Sequence, residues 1–190
     1  HLAVTSQSVS FLASLLPHVR AALLAKLPPA RHMLLTELDR TSYTLVDHHS
    51  QLLSKFVSIV SEAIDTSSAK LRAVDWQRFT GGCDYFEDLG RNASTLYRVL
   101  ASVLPEDQLT DIFSRVVAVV NRKVPRHFEE VRPTSQTARQ AIVDDVTNTI
   151  DTYFSLIPVV DISKIELEAT FRGMYLSPDG MPATTTQGMK

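Results

Sequence analysis

The sequence predicts an all-α fold, an elongated bundle of about five to six long antiparallel helices of the helical-rod type. Apolar residues recur at offsets of three, four and seven along most of the chain, which is the spacing of a single helix face. No segment shows the strict alternation of apolar and polar residues that marks a half-buried strand. Six glycines in 190 residues are few for a sheet-rich or phosphate-loop fold. Long helices joined by short turns are therefore expected.

The first segment predicts a helix that is buried in the bundle. Residues 1–19 contain no Lys, Arg, Asp or Glu, but Ser, Thr, Gln and Pro interrupt the apolar run too often for a membrane span. A secretory signal would need a positively charged start and a small-residue cleavage site, and neither is expected here. Pro28 and Pro29 end this helix because neither can donate a backbone hydrogen bond. Its apolar face comprises Val4, Phe11, Leu12, Leu15, Leu16, Val19, Leu23 and Leu27.

Heptad spacing predicts the second and third helices. A helix is expected from Met33 to about Arg72, and Gly81-Gly82 predicts a loop after it. A seven-residue repeat keeps a narrow apolar seam turned toward a neighbouring helix. The seam of the second helix comprises Leu38, Leu45, Leu52 and Ile59, with Phe56 and Ala63 beside it. The seam of the third comprises Leu89, Leu96 and Val103, with Phe86, Ala93 and Leu100 beside it.

Prolines and caps predict the remaining helices. Pro105 suits the first position of a fourth helix, whose first-turn acids favour the positive end of the helix dipole. Pro125 should kink or divide this helix. Thr134 or Ser135 can cap a fifth helix, and ISKIELEATF predicts a short last one. Residues 177–190 are rich in Pro, Gly and Thr, which predicts a flexible tail after a single domain spanning residues 1–176.

Composition excludes several classes of function. The net charge of −2 argues against a strongly basic nucleic-acid binder, and no nucleic-acid partner is expected. The single cysteine, Cys83, excludes an intrachain disulfide and any multi-cysteine zinc site. It also lacks a neighbouring cation that would activate it as a nucleophile. Adjacent His48 and His49 point about 100° apart on a helix and cannot form a same-face ligand pair.

Asp144 and Asp145 form the most enzyme-like pattern in the chain. Paired aspartates on a helix can hold the magnesium of a diphosphate substrate, because hard oxygen ligands suit a hard cation. A second metal-binding motif on a facing helix would be needed, and the sequence offers none. The favoured interpretation is solvated helix surface. A helical metal-dependent enzyme using these two residues remains an alternative, but no catalytic activity, metal or cofactor is expected.

One basic surface is a candidate contact site for an anionic membrane or an acidic partner. Arg115, Arg122, Lys123 and Arg126 lie along the second half of the fourth helix. Basic residues near a helix C-terminus are also favoured by the dipole alone, so a plain solvated face is the alternative. Near anionic lipid each such charge contributes about 1 kcal/mol to the free energy of membrane binding.

Two stretches of the chain resemble a known family. Residues 55–79, KFVSIVSEAIDTSSAKLRAVDWQRF, are similar to a helix that ends in an Asp-Trp pair. Residues 92–130 are similar to the following helix pair, through Thr95-Leu96, Val99-Leu100, Leu104-Pro105 and Phe128-Glu129-Glu130. The family is the C-terminal domain of vacuolar protein sorting-associated protein fifty-four, a subunit of the GARP tethering complex.

The resemblance implies a non-enzymatic domain that contributes to recruitment of the GARP complex to endosomes, or to carriers moving from them to the trans-Golgi network. The implied partners are other GARP subunits, SNAREs through regions outside this segment, and an endosomal membrane or membrane-bound protein. The implied location is cytosolic, with peripheral association at trans-Golgi and endosomal membranes. The equivalent domain of another multisubunit tether (exocyst, COG or Dsl1 type) is an alternative. The residues expected in the structural core are Leu52, Phe56, Trp76, Leu96, Leu100, Leu104 and Phe128.

Overall fold

The computed structural model of the protein describes residues 1–177, and these residues form helices and turns without a β-strand. The all-α prediction is confirmed. The six α-helices are α1 (Leu2–Leu24), α2 (Thr36–Ser67), α3 (Asp84–Ala101), α4 (Glu106–His127), α5 (Gln136–Thr149) and α6 (Leu167–Tyr175). Residues 178–190 of the predicted tail lie outside the described residues, and the single domain over 1–176 stays a prediction.

The core lies between the second half of α2 and helices α3 to α6. Phe128, fully buried just after α4, lies at the centre of an aromatic cluster. Its ring centroid lies 5.1 Å from Phe86, 5.0 Å from Phe171 and 5.6 Å from Trp76. Aromatic pairs at such separations add stability beyond the area that they bury. The cluster therefore ties α3, α4, α6 and the segment before α3 into one unit.

The structure places the seven residues expected in the core at three depths. Phe56, Leu100, Leu104 and Phe128 are buried in the main cluster. Trp76 and Leu96 are partly buried and pack against it. Leu52 is only half-buried, and its neighbour Leu53 occupies the core.

The apolar seam predicted along α2 from a repeat of seven residues is wrong for the second half of this helix. The buried residues there are Leu53, Phe56, Val60 and Ile64, at steps of three and four, whereas Ile59 is exposed. A straight helix turns by about 20° per heptad relative to a strict seven-residue repeat. The face that contacts the core therefore moves away from Leu52 and Ile59 as α2 passes α3 and α4.

Two further expectations are corrected by the packing. Helix α1 is not buried, since Ala3 and Ser6 are its buried residues. Of the two outcomes expected at Pro125, a kink or a division, division is wrong, because helix α4 runs past Pro125 to His127. Pro125 lies in the last turn, where only two residues follow it, so the hydrogen bond that it removes does not break the helix.

A close approach positions α3 against the segment that continues α5. Residues Ile150–Phe154 extend α5 by one π-helical turn. This turn places Tyr153 directly on Gly90 of α3, so that a Cβ atom at position 90 would lie 2.2 Å from the Tyr153 ring. Only glycine allows this contact between α3 and the π-helical turn.

Candidate docking surface

An open groove of about 600 Å³ runs along the C-terminal end of α4. One wall is the 3-10 turn Ser68–Ala73, which follows α2, and the other is the segment 126–132. Three arginines line it, Arg72, Arg126 and Arg132, all of them exposed. Together with Trp76 they define what we call the arginine groove.

The basic residues predicted along α4 divide into two groups in the structure. Arg115 forms an ion pair with Asp111 (2.8 Å), one turn earlier on the same helix. Lys123 donates to Asp65 of α2 (2.5 Å) and is only 23% exposed, so it holds α2 against α4. Arg122 and Arg126 are exposed and make no ion pair with any residue in 1–177. The basic surface available to a partner is therefore Arg122 and, one turn later, Arg126, which also lines the arginine groove.

Trp76 forms the apolar part of the groove and is fixed in place. Its indole N–H donates to the carbonyl of Leu71 (3.1 Å). Its ring contacts Phe79 (centroids 5.0 Å apart) as well as Phe128. A fixed aromatic face beside guanidinium groups can receive an anionic group and the apolar atoms next to it, because arginine binds carboxylates and phosphates in a bidentate manner. Glu129 and Glu130 border the groove and reduce its net positive charge.

A half-buried polar network supports the floor of the groove. The hydroxyl of Tyr85 is hydrogen-bonded to Nδ1 of His127 (2.9 Å), and Nε2 of His127 lies 3.5 Å from Asp65. Burial lowers the pKa of His127, although the Asp65 carboxylate opposes this effect. Burial also raises the pKa of Tyr85 far above its ordinary value. The network therefore links α2, α3 and α4, and it includes His127, which lines the groove at the end of α4.

The structure gives Asp145 a structural role that the sequence did not reveal. Its carboxylate accepts the backbone N–H of Gly82 (2.9 Å) and that of Cys83 (2.8 Å), the residue immediately before α3. This carboxylate on α5 thereby caps the N-terminus of α3, where the helix dipole favours a negative charge. Gly81 and Gly82 have φ of 110° and 81°, which lets the loop bring these N–H groups to Asp145.

The other residues considered for chemistry are not arranged for it. Asp144 is exposed and accepts a hydrogen bond from Gln140 one turn earlier. Within residues 1–177 no three His, Cys, Asp or Glu side chains form a group that could hold a metal ion. The Cys83 thiol is buried, and burial raises its pKa, the opposite of what a thiolate nucleophile needs. His48 is exposed, whereas His49 is half-buried with no partner for Nε2 in the described part of the chain.

Sequence reasoning missed an apolar surface on α1. Six of the eight residues in the predicted apolar face of this helix are exposed, Leu16 and Leu27 being half-buried, and Phe11 at its middle is 62% exposed. The residues that α1 buries against the bundle, Ala3 and Ser6, are small. The apolar stripe was visible in the sequence, but nothing there showed which side of α1 meets the bundle. We call the exposed side the outward face of α1; it comprises Val4, Phe11, Leu12, Leu15, Val19 and Leu23.

By length and composition alone, α1 could also cross a membrane. Core helices and signal sequences can pass the same test of length and composition. This property by itself therefore assigns no role to α1.

Comparisons with known proteins agree on one family. The family model described as Vps54-like protein matches residues 1–63, which cover α1 and most of α2. The vacuolar protein sorting-associated protein 54, chloroplastic, of Arabidopsis thaliana is 26% identical over 149 residues, covering 75% of this chain and 14% of that protein. The vacuolar protein sorting-associated protein 54 of Homo sapiens is 24% identical over 118 residues, covering 62% of this chain and 12% of that protein. No solved structure matches.

These matches confirm the family resemblance drawn from residues 55–79 and 92–130. The family model also covers α1 and the first part of α2, which lie outside these two stretches. The chain corresponds to about an eighth of the length of the relatives that it matches.

Proposed function

We propose that this chain, which is related to the Vps54 family, is a non-enzymatic docking domain of a multisubunit vesicle tether. Its role is to help recruit the GARP complex to endosomes or to endosome-derived carriers in retrograde transport to the trans-Golgi network. In this role the domain works in the cytosol and at the surface of endosomal and trans-Golgi membranes. The longer protein contacts the other GARP subunits, and SNAREs bind mainly outside this segment.

The observation that carries this proposal is the pair of exposed arginines on α4, Arg122 and Arg126, of which Arg126 lines the arginine groove and Arg122 lies one turn before it. Unlike Arg115 and Lys123, they form no ion pair within residues 1–177. Each can therefore meet an anionic group without first breaking an intramolecular contact. Near an anionic membrane each such charge contributes about 1 kcal/mol, and salt screens the attraction.

The shape of the groove favours a membrane-bound acidic partner as its occupant. The groove is lined by three arginines and by the fixed indole ring of Trp76. Arginine and tryptophan are the residue types that most often dominate the energy of a protein interface. Such a site can bind an acidic peptide segment whose apolar residue packs on Trp76.

The first experiment is to express this chain as a fluorescent fusion in cells and to compare it with the double variant Arg122→Glu and Arg126→Glu. We expect punctate signal overlapping endosomal markers for the unchanged chain and diffuse signal for the variant. Lys123 is left unchanged because reversing its charge would break the contact with Asp65 and test stability instead.

The matched control reverses two exposed arginines elsewhere, Arg40→Glu on α2 and Arg98→Glu on α3. Neither forms an ion pair in the described residues, and two Arg→Glu substitutions change the net charge by the same amount in the control as in the test variant. Thermal unfolding of all three proteins shows whether the fold is retained. Diffuse signal from the unchanged, folded chain, or punctate signal that survives Arg122→Glu and Arg126→Glu, would refute the proposal.

A further inference from the structure

We propose that the turn between α1 and α2 inserts into an anionic lipid bilayer. We call this turn the hairpin tip; it comprises residues 25–35 and includes the 3-10 turn Pro29–Leu35. The hairpin tip precedes α2 and the arginine groove follows it, so the two surfaces lie about 48 Å apart at 1.5 Å per residue. This contact therefore adds a lipid surface to the protein partner proposed for the groove.

Two large apolar side chains project at the hairpin tip. Met33 is 85% exposed and Leu34 is 67% exposed, whereas the next residue, Leu35, is 2% exposed. Within residues 1–177, no other large hydrophobic side chain is as exposed as that of Met33. Such side chains gain free energy when they move from water into the boundary between lipid head groups and acyl chains.

The hairpin tip is held in one conformation. The side chain of Leu35 is buried, and the ring of His32 is hydrogen-bonded to the carbonyl of Leu27 (3.1 Å). Behind the turn, Arg20 of α1 forms an ion pair with Asp39 of α2 and so joins the two helices. An ordered tip loses little conformational entropy when it binds, so its two exposed side chains are available for insertion.

The charge of the hairpin tip is complementary to anionic lipid. Lys26 and Arg31 are exposed and form no ion pair within residues 1–177. The first acidic residue of the chain is Glu37, in the first turn of α2. Residues 18–40 hold four Lys or Arg and two Asp or Glu, although the whole chain has a net charge of −2. Each cation beside an anionic bilayer strengthens binding about fivefold.

The size of the hairpin tip favours a bilayer over a protein partner. Within residues 25–35 the exposed large apolar side chains are those of Met33 and Leu34. A stable protein interface buries about 800 Å² on each partner, far more than two side chains supply. A fluid bilayer requires no matching shape. The expected contact is weak and reversible, with a binding constant no higher than the roughly 10⁴ M⁻¹ of a single acyl chain.

The first test is sedimentation of the purified chain with vesicles of phosphatidylcholine and phosphatidylserine, and with vesicles of phosphatidylcholine alone. We expect binding to the anionic vesicles that weakens as salt is added. The double variant Met33→Ser and Leu34→Ser should lower this binding at least about tenfold. The matched control is Val99→Ser and Leu156→Ser, two exposed apolar residues (58% and 72%) far from the tip in sequence, and it should bind as strongly as the unchanged chain.

A second pair of variants tests the cations. Lys26→Gln and Arg31→Gln together should lower binding to the anionic vesicles at least about tenfold, because two charges leave the contact. The matched control is Arg78→Gln and Arg98→Gln, which changes the net charge equally at two exposed residues outside the tip. This control should lower binding by less than about twofold, because salt screens charges that lie away from the bilayer.

A fluorophore at position 33 reports insertion directly. Cys83 is the single cysteine of the chain, so Met33→Cys combined with Cys83→Ala leaves one thiol for the fluorophore NBD. We expect its emission to rise and to move to shorter wavelength when anionic vesicles are added. The same label at Val99→Cys, also combined with Cys83→Ala, should not respond.

Several results would overturn the proposal. No binding to the anionic vesicles would show that lipid does not cover the hairpin tip and that its occupant is a protein surface. Equal binding to both kinds of vesicle, or binding that survives Met33→Ser and Leu34→Ser, would show that the lipid contact lies elsewhere on the chain. An unresponsive label at position 33 would exclude insertion. These vesicles contain no protein, so such a failure is distinct from a failure of the localisation test at Arg122 and Arg126.

Discussion

Replacing Asp145 by alanine removes the carboxylate that caps α3 from α5. In the folded protein this side chain accepts the N–H groups of Gly82 and Cys83 at 2.9 and 2.8 Å. Alanine leaves both donors at the helix N-terminus without this acceptor, and it detaches the glycine loop from α5. Asp144, the adjacent residue, accepts a hydrogen bond from Gln140 on its own helix and serves as the matched control.

The size of the effect follows from those two contacts. A hydrogen bond to a charged group contributes about 1.5–3 kcal/mol to stability. The loss on substitution is smaller here, because Asp145 is half-exposed and water can take the place of its carboxylate as the acceptor. We expect Asp145→Ala to lower the free energy of unfolding by about 2–3 kcal/mol. Asp145→Asn keeps one acceptor oxygen and should lose about half as much. Asp144→Ala should change it by less than about 0.5 kcal/mol.

Urea unfolding followed by circular dichroism measures these differences, and thermal unfolding checks them. For a chain of this length 1 kcal/mol corresponds to about 2–4 °C, so Asp145→Ala should lower Tm by about 5–10 °C. The same series with added magnesium tests the metal-binding alternative. We expect no change in Tm with magnesium for any of the proteins.

Two results would refute this reasoning. Equal effects of Asp144→Ala and Asp145→Ala would show that the cap on α3 does not stabilise the fold. A magnesium-dependent rise in Tm that both substitutions abolish would show that the pair binds metal.

Three further predictions concern packing and pH. Gly90→Ala should lower the free energy of unfolding by about 1–3 kcal/mol, because the added methyl group clashes with the Tyr153 ring. This loss outweighs the better helix propensity of alanine. Unchanged urea unfolding would contradict the prediction. Leu100→Ala should lower the free energy of unfolding by about 2–5 kcal/mol, because Leu100 is 1% exposed. Val99→Ala should lower it by less than about 0.5 kcal/mol, because Val99 is 58% exposed. Equal losses would mean that the buried and exposed faces of α3 are misassigned. Because the pKa of His127 is lowered in the folded state, the unfolded chain binds this proton more readily, and stability should fall as pH decreases below about 6.5. His127→Gln should flatten that part of the pH profile, and an unchanged slope would exclude this histidine as its source.

The sequence was sufficient for the elements of the fold because local chemistry decides them. Pro105 stands immediately before α4, one residue ahead of the first position expected for it, and Ser135 stands at the expected position immediately before α5, although its side chain makes no cap hydrogen bond. The Gly81-Gly82 pair forms the loop before α3, with the positive φ values that only glycine adopts readily. Element boundaries depend on residues that are near in sequence, so they can be predicted without knowledge of the neighbours.

The partners of individual side chains could not be predicted in the same way. Lys123 and Arg122 are adjacent and chemically alike, yet Asp65, 58 positions away, neutralises only Lys123. Asp144 and Asp145 are also adjacent, and only Asp145 reaches the loop before α3. Successive residues on a helix point about 100° apart, so the tertiary contact on each side decides which one is used.

The sequence by itself determined that this protein is helical, where most of its helices begin and end, and that α1 carries a strongly apolar stripe. Only the tertiary structure decided that this stripe faces outward, because the small residues Ala3 and Ser6 allow α1 to pack against the bundle on its other side. Apolar periodicity shows that a helix has a face to bury, but it does not show what that face is buried against.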